Sequence, residues 1–305
     1  MSVIDISEVD ELTGLDSRRP HTRALFVYPT YYRIGDHINP FMRGEVDEDH
    51  LTDQFTALKE GYEKYVDTYT IDPDEYANNY ADLRPPEELP DFVFAANQSL
   101  PYREHEFVIK SNMAMEQRRG EPEYFSRFFE NEHDWEVIEL PEEISFEGNG
   151  DGIWHPGTDL LWGGYNPITN GYTRTDPEAY EYISQFLDVP VITLPIQNDD
   201  YYHLDTCFMP LDRNTVIIAE NAFEDVVETK LKQLWETVIV VPTEEATNLN
   251  CNVHRVANNV VFASTNVKDT ETFDSLIDAG FRVETFELSE FHKGGGSVYC
   301  MKQMF

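Results

Sequence analysis

The chain has 305 residues, 41% of them hydrophobic, and carries 58 acidic against 22 basic side chains for a formal net charge of -36. Such a chain can bury a substantial core, and its charge would repel duplex nucleic acid. No apolar run approaches the roughly 20 residues that cross a bilayer, the opening MSVIDISEVDELTG has acids where a secretory signal has bases, and three scattered cysteines make no disulfide framework, so a cytoplasmic protein is expected. The acids spread along the whole chain and arginines outnumber lysines, which reads as adaptation to a salt-rich cytoplasm that screens self-repulsion.

Residues 1–20, acidic and without hydrophobic period, are expected to form a flexible arm ahead of a single domain over 21–305. RALFVYP (23–29) reads as a buried strand, and HINPFM (37–42) as a turn, because Pro40 disfavours helix at Asn39. Leu51, Phe55, Leu58, Tyr62 and Val66 recur at helical spacing, and 71–90 reads as a surface loop. DFVFAANQS (91–99) is taken as a short strand, with a helix following around Glu121 to Phe129. Asp176 and Pro177 read as the cap and first residue of a helix that buries Ala179, Tyr180, Ile183 and Leu187. After strands at VPVITLPI and NTVIIAE come a helix at Phe223 to Trp235, a strand at ETVIVVP and a hairpin at VHRVANNVVFAST. Thr270 caps a helix ending at Gly280, and FRVETFEL and GSVYCMK finish the chain as β segments. Strands thus return with single helices at intervals of about 40–70 residues, which predicts one α/β domain of repeated βαβ-like units.

Three stretches carry chemistry. YYHLDTCF (201–208), read as a strand, puts His203, Asp205 and Cys207 on one face, where a carboxylate can hold an imidazole in one tautomer. FEGNGD (146–151) sets Glu147 and Asp151 around two glycines that let the backbone turn tightly. GGGS (294–297) precedes Cys300 as a mobile loop that delivers a thiol, the strongest neutral-pH nucleophile once a base or cation favours its thiolate. A zinc site drawn from His203, Cys207, Cys251 and His254 is the competing arrangement.

Taken in order, INPFM (38–42), FAAN (94–97), FEGNGD, TRTD (173–176), YYHLDTCF and GGGSVYC (294–300) resemble the guanidine-modifying, or amidinotransferase, superfamily. Its members include arginine deiminases, dimethylarginine dimethylaminohydrolases, arginine dihydrolases and glycine amidinotransferases. The resemblance implies a five-bladed α/β propeller, the pentein fold, of ββαβ-type units around a central site. It makes Cys300 the nucleophile, His203 the general acid/base and Glu147 its supporting carboxylate. Asp205 would hold the guanidinium, with Asp151 among the substrate-binding acids. In the arginine dihydrolase-like branch, which the sequence looks most like, Asn39 and Asn97 line the site and Arg174 grips the substrate's α-carboxylate.

The implied chemistry is thiolate attack on the guanidino carbon through a covalent amidino-cysteine intermediate, with no cofactor or metal. Asn97, where deiminases use an acid, suits tolerance of a neutral ureido intermediate and a second hydrolysis. One departure is Asn112, which stands where relatives carry a second carboxylate-gripping arginine; Arg118 or Arg119 could compensate, but at a helix start they are read first as solvated. The first expectation is therefore a hydrolase of arginine or a close derivative. The alternatives are an amidinotransferase using an amine acceptor, a zinc-dependent hydrolase and a non-catalytic binding relative. The expected partner is a small guanidino compound, with no nucleic acid or membrane and with homo-oligomerisation left open.

Overall fold

The computed structural model describes residues 3–35, 39, 41–167 and 174–305. His37, Ile38 and Pro40 of the expected turn, and Thr173 of TRTD, lie outside them. Five small sheets share one plan: an inner strand pairs antiparallel with a middle strand, which pairs parallel with an outer strand. A parallel pair needs a crossover, and a helix supplies it each time. Thus Ser99–Tyr102 and Phe107–Lys110 form a hairpin, and the helix Glu121–His133 leads to Glu136–Ile138. The same ββαβ order runs through Gly152–Trp154, Leu161–Tyr165, Ala179–Leu187 and Val191–Pro195. It recurs in Phe208–Pro210, Thr215–Ala219, Asp225–Leu234 and Thr237–Val241, and again in His254–Ala257, Val260–Ser264, Glu271–Asp278 and Arg282–Phe286.

The remaining sheet closes the ring. Arg23–Val27, the helix Glu48–Glu63 and Asp67–Ile71 lack an inner strand of their own, and the C-terminal Gln303–Met304 fills that place antiparallel to Ala24 and Leu25. This is the expected five-bladed α/β propeller, with the chain's last segment bound to its first blade. Helix and sheet faces pack as apolar clusters: Leu51, Phe55, Leu58 and Tyr62 sit beside Phe26 and Phe262, at the contact of the first and last blades. Thr270 accepts a hydrogen bond from Phe273 N and Gly280 has φ +90, so the cap and the left-handed stop fall where expected.

Several elements differ from the sequence reading. The arm expected over 1–20 is ordered in part: Val3–Asp5 adds parallel to Val191–Thr193, because Val3 and Ile4 can cover a sheet edge that would otherwise stay open. Further on, Arg18 N donates to Gly157 O at 3.3 Å, Asp159 N to Asp16 O at 2.9 Å and Thr22 N to Phe305 O at 3.3 Å. The loop 71–90 contains the helix Pro73–Asn79, capped by Asp72. The helix expected from Asp176 starts at Ala179, since the Asp176 carboxylate instead accepts Ser145 N at 2.8 Å. GSVYCMK is a turn, with Met301 N donating to Ser297 O at 3.2 Å, and strand begins only at Gln303. Among the described residues no helix is long and apolar enough to cross a membrane.

Candidate active site

Each inner strand is preceded by a turn, and those five turns converge. Asn97 lies just before Ser99–Tyr102, Glu147 and Asp151 before Gly152–Trp154, and His203 and Asp205 before Phe208–Pro210. Asn252 lies before His254–Ala257 and Cys300 before Gln303–Met304. The segment 203–207 is therefore not the expected strand. His203 is extended, Leu204–Thr206 form a 3-10 turn, and Thr206 Oγ1 donates back to His203 O at 2.6 Å. Residues 91–98 are likewise not strand, with Ala95–Gln98 in a 3-10 helix, and strand begins only at Ser99. Asp205 and Cys207 thus part company. Asp205 enters the site, while Cys207 is fully buried with its Sγ 3.6 Å from Leu204 O, a packing position.

FEGNGD forms a four-residue helical turn, Gly148–Asp151. Gly148 has φ +52, and a Cβ there would meet Ser99 O at 2.6 Å and Asn97 O at 2.8 Å, so only glycine fits. At Gly150 a Cβ would stand 2.2 Å from Asn97 Nδ2 and 3.4 Å from the His203 ring. These contacts hold the FAAN and YYHLDTCF turns against one another.

Cys300 Sγ lies 3.1 Å from Asp205 Oδ2 and 3.1 Å from Asn252 Nδ2. Burial, and then the neighbouring Asp205 carboxylate, push the thiol well above its ordinary range. Burial also pushes Asp205 up to about 7, against the opposing pull of the Cys300 hydrogen bond and of Lys302. Its Oδ1 finds no hydrogen-bond partner among the described residues. The pair is a thiol resting on a reluctant carboxylate, a state that a cation would change.

His203 is buried, with Nε2 2.6 Å from Glu147 Oε2 and Nδ1 3.4 Å from Asn97 Nδ2. An amide nitrogen can only donate, so those partners put the proton of the neutral ring on Nε2, towards Glu147. Burial would push Glu147 up, but the Arg174 guanidinium at 3.4 Å and the His203 hydrogen bond outweigh it and hold the carboxyl at about 2. Ala114 N also donates to Glu147 Oε1 at 3.2 Å. One carboxylate, Glu147, is therefore firmly charged and partnered, while Asp205 is not.

The pocket above Cys300 is lined by Asn39, Asp91, Asn97, Arg118, Arg174 and Tyr202, among others. Asn39 Nδ2 donates to Gly294 O at 3.1 Å, and Arg174 lies 5.5 Å over the Tyr202 ring. Asp151, expected among the substrate-binding acids, spends Oδ2 on Thr175 Oγ1 at 2.6 Å and Oδ1 on Leu204 N at 3.0 Å, so it braces the His203 turn. Burial pushes it up to about 6. Asn112 faces away from the pocket, donating to Pro141 O at 2.9 Å and Ile144 O at 3.0 Å.

Arg118 corrects the solvated reading. It is buried, paired with Glu121 at 2.8 Å, and its Nη1 donates to Asn97 Oδ1 at 3.0 Å. Burial raises the Asp91 carboxyl, with Arg118 and Arg174 opposing. The four residues of the zinc alternative do not assemble: His203 is committed to Glu147, and His254 Nδ1 lies 2.9 Å from Tyr62 Oη. Among the described residues no three His, Cys, Asp or Glu side chains gather as metal ligands.

The sequence does not single out Asp91 or Asn252. For Asn252 a signal exists: the other four inner strands are each preceded by a candidate site residue, and NCNVH is the matching place in the fourth hairpin. The residue escaped because it carries no charge and belongs to no motif.

Residues 82–304 match the family model described as N,N dimethylarginine dimethylhydrolase, eukaryotic. The chain is 30% identical over 283 residues to the bifunctional arginine dihydrolase/ornithine cyclodeaminase ArgZ of Synechocystis sp., covering 92% of this chain and 37% of that protein. It is 27% identical over 286 residues to the N(G),N(G)-dimethylarginine dimethylaminohydrolase of Mycobacterium tuberculosis, covering 93% and 86% of the two chains. The fold superimposes on the N-terminal domain of ArgZ, covalently bound to a reaction intermediate, with a TM-score of 0.80 at 28% identity, over 92% of this chain and 97% of that one. This chain therefore spans about 37% of the length of the bifunctional curated relatives it matches.

Proposed function

Because the chain belongs to the dimethylarginine dimethylhydrolase family of guanidine-modifying proteins, we propose that it is a cysteine-dependent hydrolase acting on the guanidino carbon of free arginine or a close derivative. The observation that carries the reading is the Cys300 thiol seated 3.1 Å from Asp205, in a pocket whose walls also present Asn97, Arg118 and Arg174. Asp205, with Oδ1 open, is suited to a planar cation that takes charge-assisted hydrogen bonds. The arriving guanidinium favours both the Asp205 carboxylate and the Cys300 thiolate, reversing what burial does to them, and the thiol's proton passes to the unprotonated nitrogen of His203, which becomes the general acid.

The thiolate then attacks the guanidino carbon, forming a C–S bond and a tetrahedral adduct. His203, held by Glu147, protonates the departing ammonia or amine as the C–N bond breaks, leaving an amidino-thioether. Water deprotonated by His203 adds to that carbon, and the C–S bond breaks to return the thiolate and give a ureido product. Asn97 is fixed between Arg118 and His203 and offers a neutral amide where deiminases use an acid. That supports a second round on the ureido product, which takes up water and yields ornithine, ammonia and carbon dioxide. Arg174 receives the α-carboxylate. Three free cysteines accord with a reducing, cytoplasmic setting.

The test is to incubate the protein with arginine, methylated arginines, agmatine and guanidino acids, in dilute and molar salt, and to resolve ammonia, citrulline and ornithine. Cys300-dependent release of ammonia or amine is expected, with ornithine accumulating from arginine. A folded protein that releases neither from any of these compounds refutes the reading, and citrulline as sole product refutes the second hydrolysis.

A further inference from the structure

Asn252 is fully buried and uses both ends of its amide on the reacting segment. Oδ1 accepts Tyr299 N at 3.0 Å and Cys300 N at 3.2 Å. Nδ2 donates to Asp205 O at 3.0 Å and to Cys300 Sγ at 3.1 Å. It is delivered from the connection before His254–Ala257, where Leu249 takes φ +63 and Asn252 N closes onto Leu249 O at 2.9 Å. A left-handed leucine is costly and persists only where its surroundings enforce it. One side chain from the blade next to the closure thus ties the nucleophile's backbone to the backbone of the guanidinium-binding residue, and still reaches the sulfur.

We propose that Asn252 is a catalytic residue, the hydrogen-bond donor that holds the Cys300 thiolate. Of the groups at Sγ, which also include the Ser297 backbone N–H, the Asp205 carboxylate can partner it only while the sulfur keeps its proton. Once that proton leaves, carboxylate and thiolate repel, and the sulfur needs a donor. The Asn252 amide is the side-chain donor already in place beside the Ser297 backbone N–H, and it keeps its protons at every pH of interest. It lowers the free energy of the thiolate both before attack and when the C–S bond breaks, without contacting the substrate's α-carbon end. The same hydrogen bond opposes the rise in Cys300 that burial causes. This assignment rests on the hydrolase reading for its place in turnover, but not for its effect on the sulfur.

The experiment follows alkylation of Cys300 by iodoacetamide against pH in the ligand-free protein, by mass spectrometry of the Cys300 peptide, for the parent, Asn252→Ala and the near-isosteric Asn252→Asp. A lost hydrogen bond to a charged group moves the alkylation midpoint up by about one to two pH units, and the rate below it falls on the order of 10- to 100-fold. Asn252→Asp is expected to shift it at least as far, since an oxygen then faces the sulfur. Arginine turnover is read in parallel, with kcat falling more than KM rises. An unmoved alkylation midpoint in either folded variant overturns the assignment, as does a kcat equal to the parent's. A shifted midpoint in a protein that hydrolyses no guanidino compound leaves Asn252 in its role and refutes the hydrolase reading instead.

Discussion

Replacing Asp205 by asparagine should move two properties of the site in opposite directions. In the ligand-free protein Asp205 Oδ2 lies 3.1 Å from Cys300 Sγ, and its charge is the second cause, after burial, of the thiol's resistance to ionisation. A unit charge about 4 Å away costs on the order of 4 kcal/mol at an effective dielectric of ~20. Asp205 is pushed up to about 7, so it is only part-charged at neutral pH. Removing it should therefore lower the iodoacetamide midpoint of Cys300 by about one to two pH units, somewhat less than the full Coulomb term implies. Guanidinium binding should suffer at the same time. Two charge-assisted hydrogen bonds at about 1.5–3 kcal/mol each correspond to a loss of roughly 10²–10⁴ in kcat/KM. The assay is alkylation by mass spectrometry beside steady-state arginine hydrolysis on one Asp205→Asn preparation. A more reactive thiol in a far poorer enzyme is the expected result. If Cys300 becomes less reactive, or kcat/KM stays within a factor of a few of the parent, the assignment of Asp205 as both brake and guanidinium anchor is wrong.

Cys300→Ser should abolish turnover in the ammonia assay, whereas Cys207→Ser, whose hydroxyl can donate to the same carbonyls as the buried thiol, should keep most of it. Because a protonated Asp205 binds a cation poorly and its carboxyl is raised to about 7, kcat/KM should rise as pH rises through about 7 and fall away below it; a profile flat down to the ordinary carboxylate range would contradict this. Gly150→Ala would drive a methyl to 2.2 Å from Asn97 Nδ2, so chemical unfolding should show a loss of about 1–3 kcal/mol, with kcat reduced as the His203 ring is displaced. With a formal charge of -36, the melting temperature should climb between dilute buffer and molar salt, and an equal melting temperature in both would refute salt adaptation.

What the sequence disclosed and what it hid follow from the range of the interactions involved. The amphipathic face Leu51, Phe55, Leu58 and Tyr62, the Thr270 cap and the Gly280 stop are local and appear as read, whereas Val66, expected on the same face, lies past the helix end at Glu63. The strand assigned to 201–208 fails because alternation of His203, Asp205 and Cys207 mimics a β pattern, while the deciding bond, Thr206 Oγ1 to His203 O, belongs to a turn that periodicity does not register. Arg118 was read as solvated from its place at a helix start. Its burial depends on Glu121, three residues on, and Asn97, in the turn before the same blade's first strand, facing it together, a meeting of turns that helical spacing does not register. Asp151 and Glu147 look alike in FEGNGD, yet Thr175 and Leu204 occupy the one, whereas His203 and Arg174 partner the other.

The ring also explains why one carboxylate is left waiting. Each blade contributes its turn at the same end of an inner strand, so acids from separate repeats meet in one buried space, where loss of water raises the cost of ionising each of them. Glu147 escapes that cost because Arg174 and His203 offset it. Asp205 does not, since the cation near it, Lys302, is itself buried over the Tyr299 ring and pushed down to about 7. A lysine in that condition is a weak counter-charge at neutral pH. The missing unit of positive charge is then what a guanidinium brings, and it arrives at the carboxylate that restrains the thiol. On the proposed reading, recognition and activation are one electrostatic event, so a neutral analogue added from solution should meet a protonated nucleophile, whereas the ureido product formed in place meets the thiolate that C–S cleavage has just returned.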